Sequence, residues 1–129
     1  TDVGKAIAAA AAAQEMTADL PENTLLLKSD PLLLNVIFSN LALNARQAGA
    51  KRLQVEFPAG EAPVLTIADD GPGIAAALRD KIWLPFFSTR DKGTGMGLAT
   101  VKKLVSALNG DIQLLESPGG AKFKITFYG

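Results

Sequence analysis

Apolar residues recur every three or four positions in three segments of the chain, as they do along the buried face of an α-helix. The middle segment starts at Pro31, a favourable first helical position, and follows Ser29 and Asp30. Either of those two side chains can cap a helix, and Gly49 supplies a natural stop. The spacing predicts long helices at residues 3–15, 31–48 and 96–108, with a short helix at 75–82.

Strand patterns lie between these helices, where polar and apolar residues alternate or a short apolar run is bounded by turn residues. In one of them Leu53, Val55 and Phe57 would share a face. Each long helix is followed by two strands. This order predicts an α+β fold, a two-layer α/β sandwich whose mixed, mostly antiparallel sheet carries helices on one face. The predicted strands cover residues 16–20, 24–28, 51–57, 64–68, 111–116 and 121–128.

Composition and charge narrow the possible functions. The 129 residues are 48% hydrophobic and 20% charged with a formal net charge of zero, which fits a single globular domain over residues 1–129. We therefore expect no nucleic-acid partner recognised through bulk charge. No apolar run reaches the ~20 residues that span a bilayer, so we expect a cytoplasmic domain without direct membrane contact. Thr1 begins the sequence, so we expect it to be part of a longer protein, and the sequence leaves open whether that protein is anchored to a membrane.

Two residue types are missing from the chain. It contains no cysteine, which excludes disulfides and thiolate zinc sites. It also contains no histidine, which excludes histidine acid–base catalysis and histidine–metal sites. Any chemistry must therefore come from carboxylates, amides, hydroxyls, cations or the backbone.

A polar stripe follows one face of the otherwise apolar second helix. Asn40 and Asn44 lie four residues apart and therefore share a face, and Gln47 continues the line. The stripe could be a solvated face with incidental asparagines. It could equally present amide oxygens to a cleft, where they would suit Mg²⁺, which takes oxygen ligands and shares substrate phosphates.

The predicted strand at 64–68 runs directly into "DDGPGI". Asp-Gly and Pro-Gly are strong turn dipeptides, so a plain turn is one interpretation. In the other, the Asp69 carboxylate accepts a hydrogen bond from an exocyclic amine such as that of adenine, while Gly71 and Gly73 let a flat base approach the backbone. A hydrogen bond to a charged group is worth about 1.5–3 kcal/mol.

Together with "PFFSTR" and "GTGMGLA", these two segments resemble the catalytic ATP-binding domain of sensor histidine kinases. The resemblance implies the Bergerat-type ATPase fold. That fold is shared with type II topoisomerases, mismatch-repair proteins and a heat-shock chaperone. The resemblance covers roughly residues 25–127. It places the family's N, G1, F and G2 boxes, in that order, at residues 35–48, 69–74, 83–87 and 93–98.

The resemblance implies roles for individual residues. Asn44 would bind Mg²⁺ and Asn40 would support the metal or a phosphate, which makes these two the expected catalytic residues. Gln47 stands where many relatives have a phosphate-binding lysine. Arg90 or Lys92 of the lid, the segment 87–97 that would close over the nucleotide, would supply that charge. The G2 glycines would close the lid and open a helix whose amides meet the phosphates. The implied ATP contacts are Asp69, Gly71, Gly73, Ile74, Phe87, Thr89, Arg90, Lys92, Gly93, Thr94, Gly95, Gly97 and Leu98.

Three functions remain open at this level. The first is a histidine kinase domain that passes the γ-phosphate of ATP to a histidine on a partner helix. The second is an ATPase switch or serine-directed kinase, whose members resemble one another in carrying a glutamate four residues before the metal-binding asparagine; here that position is Asn40, which favours the kinase. The third is a scaffold that binds no nucleotide. The first implies a histidine-bearing dimerisation domain of the same parent protein and a response regulator receiver domain as partners.

Overall fold

The computed structural model describes residues 1–60, 62–84, 97–117 and 119–128. Within these ranges no helix combines the length and the hydropathy needed to cross a membrane. The helices are α1 (Val3–Ala13), α2 (Pro31–Gln47) and α3 (Gly97–Ala107), with a 3-10 turn at Ala76–Leu78. The strands are β1 (Thr17–Asp19), β2 (Arg52–Glu56), β3 (Val64–Asp69), β4 (Gly110–Leu115) and β5 (Lys122–Phe127).

The described strands form one sheet in the order β1-β2-β3-β5-β4. β1 pairs with β2 in parallel, and the other three pairings are antiparallel. The register places Val55 opposite Ile67 and Ile67 opposite Phe123, so these three buried side chains share a face. The buried side chains of all three helices join them in a single core, which confirms a sheet with helices on one face.

α2 follows the capping signals of its sequence. The Asp30 carboxylate accepts a hydrogen bond from the Leu32 amide at 2.9 Å, so Asp30 is the N-cap. At the other end Gly49 takes a φ of +93°, a conformation in which glycine avoids the strain of a side chain. Leu34 and Phe38 on the inner face are fully buried against the core, which leaves the asparagine stripe on a half-buried flank.

The predicted strand at 24–28 is wrong. Leu26 forms only an isolated bridge with Asp2 and is 68% exposed. The segment runs beside the first residues of the chain, through hydrogen bonds from Val3 to Leu25 and from Leu27 to Thr1. Because α1 begins at once, this pairing cannot lengthen into a strand.

Two helix boundaries also differ from the prediction. α1 ends at Ala13 rather than at 15, since Glu15 takes a φ of +58°. The short helix predicted at 75–82 is a 3-10 turn followed by further turns. The remaining helices and strands of the prediction are confirmed to within a few residues.

Asp70 ties the end of β3 to the start of β2. Its Oδ1 accepts hydrogen bonds from the Lys51 amide at 2.7 Å and the Arg52 amide at 3.1 Å. These two bonds, the one from Lys51 first, hold the pKa of Asp70 below its ordinary value. The ionised carboxylate therefore favours the folded state.

Acidification should remove this contribution. A carboxyl whose pKa is lowered by folding stabilises the protein above its unfolded pKa, and the gain is lost as the pH falls through the folded pKa. We expect Asp70→Asn to melt below the wild type near pH 7 and the difference to shrink as the pH falls below the ordinary aspartate pKa of about 3.9. Thermal denaturation followed by circular dichroism measures this; a difference that stays constant with pH would contradict it.

Candidate functional site

Asn40 of α2 lies against the first residue of α3. Its Nδ2 donates to the carbonyl of Val36 at 2.9 Å, one turn back along the same helix. A Cβ built on Gly97 would lie 3.5 Å from Asn40 Oδ1. The amide oxygen of Asn40 is thus next to the N-terminus of α3.

The N-terminus of α3 is suited to negative charge. The first amides of an α-helix have no partner within the helix, and the helix dipole is positive at that end. No acidic residue lies in the first turn of α3. Leu98 packs partly buried against the core and Val101 is fully buried, so this end of the helix is held in place.

Asp69 ends β3 on the side of the sheet that faces the helices, because its register partner is the buried Leu53. Its Oδ1 accepts from the Gly71 amide at 2.9 Å and from the Ala121 amide at 3.2 Å. One carboxylate oxygen is therefore fixed both by its own turn and by the approach to β5.

Gly71 packs the turn after β3 onto the C-terminal end of α2. A Cβ built on Gly71 would lie 3.1 Å from Asp69 Oδ1 and 3.6 Å from the carbonyl of Ala48. Asn44 lies one turn earlier on α2. Three predicted groups thus lie in order along α2. Asn40 is beside α3, Asn44 is in the middle, and the Asp69 turn is at the far end.

Gly73 continues the same turn in a conformation that favours glycine. Its φ is +83°, and a Cβ there would lie 2.8 Å from the carbonyl of Gly119 in the β4–β5 turn. Ile74 follows, partly buried against the core.

The start of the F box packs as a core aromatic. Trp83 meets Phe123 of β5 edge to face, with ring centroids 5.9 Å apart, and the Lys102 Nζ lies 5.1 Å from the centroid of the Trp83 ring. These contacts join α3, β5 and the chain that leads to the lid. Residues 85–87 of the F box and most predicted lid contacts lie outside the described residues: Phe87, Thr89, Arg90, Lys92, Gly93, Thr94 and Gly95.

The metal that the resemblance implies would be held by amide oxygens of α2. Among the described residues no group of three or more histidine, cysteine, aspartate or glutamate side chains could hold a metal ion. The amide oxygens of Asn40 and Asn44 fit Mg²⁺, which binds through few protein ligands plus water and substrate phosphates.

Gly120 and Ala121, which lie between β4 and β5, were not among the residues that the sequence predicted for the site. Ala121 donates to Asp69 through its backbone, which no residue type reveals. The signal available was the glycine doublet, since a glycine at the edge of a strand often marks a close approach of another backbone.

Comparison with known proteins shows similarity to one ATPase family and to sensor histidine kinases. The model of the family described as histidine kinase-, DNA gyrase B- and HSP90-like ATPase matches residues 29–128. The chain is 36% identical over 83% of its length to the C4-dicarboxylate transport sensor protein DctB of Rhizobium meliloti. It is 36% identical over 77% of its length to the signal transduction histidine-protein kinase AtoS of Escherichia coli. It spans only 18% and 17% of those two relatives.

Solved structures share the fold. The sensor histidine kinase MprB of mycobacteria matches with a TM-score of 0.83 at 21% identity, covering 98% of this chain and 95% of that one. The ATP-binding domain of PrrB from Mycobacterium tuberculosis matches with a TM-score of 0.80 at 25% identity, covering 100% and 95%. Full-length ShkA in complex with AMPPNP matches with a TM-score of 0.72 at 27% identity, covering 97% of this chain and 28% of ShkA.

Replacing Gly73 should destabilise the turn. Gly73→Ala adds left-handed strain of about 1–2 kcal/mol and a contact that the carbonyl of Gly119 must yield to. We expect its melting temperature to fall by roughly 3–10 °C. Gly60→Ala is the matched control, since a Cβ there lies 3.9 Å from its nearest neighbour, the carbonyl of Ala62. Equal melting temperatures for the two variants would contradict the conformational role of Gly73.

Proposed function

The chain belongs to the family of histidine kinase-, DNA gyrase B- and HSP90-like ATPases, and on that premise we propose that it transfers the γ-phosphate of ATP to a histidine of a separate helical domain. It is the counterpart of the ATP-binding catalytic domains of sensor histidine kinases, as its named relatives indicate. The acceptor histidine belongs to the dimerisation domain of the same parent protein, and a response regulator receiver domain takes the phosphoryl group next.

The order of groups along α2 is the observation that supports this proposal best. A nucleotide lying along the helix would meet the N-terminus of α3 and Asn40 at one end and Asp69 at the other. The distance along the helix from Asn40 to Ala48 is about 12 Å at 1.5 Å per residue. Phosphates therefore belong at the α3 end, and adenine belongs at the Asp69 turn. AMPPNP, the ligand of ShkA, is of the same nucleotide class.

Mg²⁺ is part of the proposal. Asn44 would hold it directly and Asn40 would support it or a phosphate, with water completing the shell. When bound, the ion neutralises phosphate charge during transfer. Because the amide of Asn44 is neutral, the ion would keep its full charge for the phosphates.

Asn40 also argues against rapid hydrolysis. An amide cannot take a proton from water, and Nδ2 of Asn40 already donates a hydrogen bond to the Val36 carbonyl. A neutral imidazole needs no such base. One of its nitrogens can attack the γ-phosphorus directly while the bond to the bridging oxygen breaks and ADP leaves. The chain has no histidine, so the nucleophile comes from another domain.

Nucleotide binding should raise the melting temperature. At a hundredfold excess over Kd, binding to the folded state adds about 2.7 kcal/mol of stability. Asp69→Asn should lose most of this shift with Mg-ATP, because the amide lacks the charge that strengthens the bond to the adenine amine. Asp111→Asn on the opposite face of the sheet is the control. An unchanged shift in Asp69→Asn would remove Asp69 from the adenine site.

Phosphoryl transfer should need a second domain. Alone with labelled Mg-ATP, the chain should form no phosphohistidine and should turn ATP over slowly. With its histidine-bearing helical domain supplied as a separate chain, acid-labile phosphohistidine should appear on that partner.

Two substitutions in α2 should affect this transfer differently. Asn44→Ala should abolish it by removing a metal ligand, and Asn40→Ala should weaken it. Asn35→Ala, an exposed asparagine of α2 outside the stripe, should leave it unchanged. If the isolated chain hydrolyses ATP as fast alone as with its partner, it is an ATPase switch and the kinase proposal fails.

A further inference from the structure

The turn between β4 and β5 ends directly on Asp69. Gly120 is buried, and a Cβ built on it would overlap both the backbone carbonyl oxygen and Oδ1 of Asp69. Both contacts are shorter than real Cβ atoms show, and one of the two is backbone. Glycine is therefore required here by contact with one particular residue rather than by the turn itself.

The hydrogen bonds show why the approach is so close. Asp69 and Ala121 continue the β3–β5 ladder, and the Asp69 amide donates to the Ala121 carbonyl at 2.9 Å. The reciprocal bond from the Ala121 amide goes to the side-chain Oδ1 of Asp69 at 3.2 Å. The Asp69 carboxylate thus accepts a hydrogen bond that a backbone carbonyl would accept in a regular ladder. It lies over the Cα of Gly120.

We infer that Gly120 is a positioning residue for Asp69 and, through it, for the choice of purine. This inference rests on the proposed adenine site. Only a hydrogen at the Cα of Gly120 leaves room for the carboxylate orientation that the Gly71 and Ala121 amides fix. In that orientation the carboxylate can accept from the 6-amino group of adenine and repels the 6-oxo group of guanine.

Gly119 provides a matched control one residue away. It is exposed, and a Cβ built there meets nothing within 4 Å. Gly119→Ala changes the same turn by the same methyl group without reaching Asp69.

The test measures the affinities of Mg-ATP and Mg-GTP by calorimetry for the wild type, Gly119→Ala, Gly120→Ala, Asp69→Asn and the double variant Gly120→Ala/Asp69→Asn. We expect Gly120→Ala to weaken ATP about 10- to 100-fold and GTP little, so that the preference for ATP collapses. Gly119→Ala should keep the wild-type preference. Since Gly120 acts through Asp69, the double variant should bind ATP no more weakly than the weaker single variant.

The outcomes distinguish a failure of the proposed function from a failure of the inference about Gly120. A wild type that binds neither nucleotide overturns the proposed function. A wild type that prefers ATP, with Gly120→Ala keeping that preference or with losses that add in the double variant, overturns the inference alone. A purely structural role for Gly120 would weaken both nucleotides together and leave their ratio unchanged.

If Gly120→Ala shows no cooperative melt, hydrogen exchange at the Ala121 amide replaces the calorimetry on that variant. Asp69→Ala removes the acceptor of that amide, so exchange there should accelerate if the carboxylate and the turn hold each other. Unchanged protection of Ala121 in Asp69→Ala would overturn the inference.

Discussion

Two backbone amides, from Gly71 and Ala121, converge on one oxygen of Asp69, and the geometry of the site depends on them. They come from parts of the chain separated by the F box, α3 and β4, so they lie together only when the sheet is complete. Fixing one oxygen of a carboxylate fixes the plane of the group. The orientation of the expected adenine contact is therefore set by two main-chain donors, whose positions depend on the backbone alone.

α2 serves the core and the site with different sides of one helix. Its inner residues, such as Leu34 and Phe38, are fully buried and anchor it. Asn40 and Asn44 lie on its half-buried flank, between α3 and the turn after β3. A buried amide without a partner costs roughly 1–3 kcal/mol, and Asn40 avoids part of this by donating to Val36. Its oxygen remains directed at the N-terminus of α3, where an anion and a metal would compensate for burial.

Much of the fold could be predicted from the sequence, because local spacing encodes it. The helices follow from apolar periodicity, and the capping of α2 by Asp30 follows from side-chain chemistry. The segment at 24–28 could not be judged this way, since its pairing depends on where Thr1 and Asp2 lie. The contact of Asn40 with Gly97 and that of Gly120 with Asp69 join distant parts of the chain. Sequence motifs, through a family resemblance, predicted that Asn40 and Gly97 belong to one site without predicting their contact, and a glycine doublet alone did not indicate the contact of Gly120.

The parallel pairing of β1 with β2 has a topological consequence. Parallel neighbours cannot be joined by a hairpin, so the chain between them must cross from one end of the sheet to the other. That crossover contains α2. The helix that carries Asn40 and Asn44 is therefore the central part of a β–α–β unit. An excised α2 would be an amphipathic peptide with nothing to hold its stripe in register. A circular permutation that opened the chain inside this crossover would separate the asparagines from the strands that orient them, whereas new termini in the exposed loop around Gly60 would leave the unit whole.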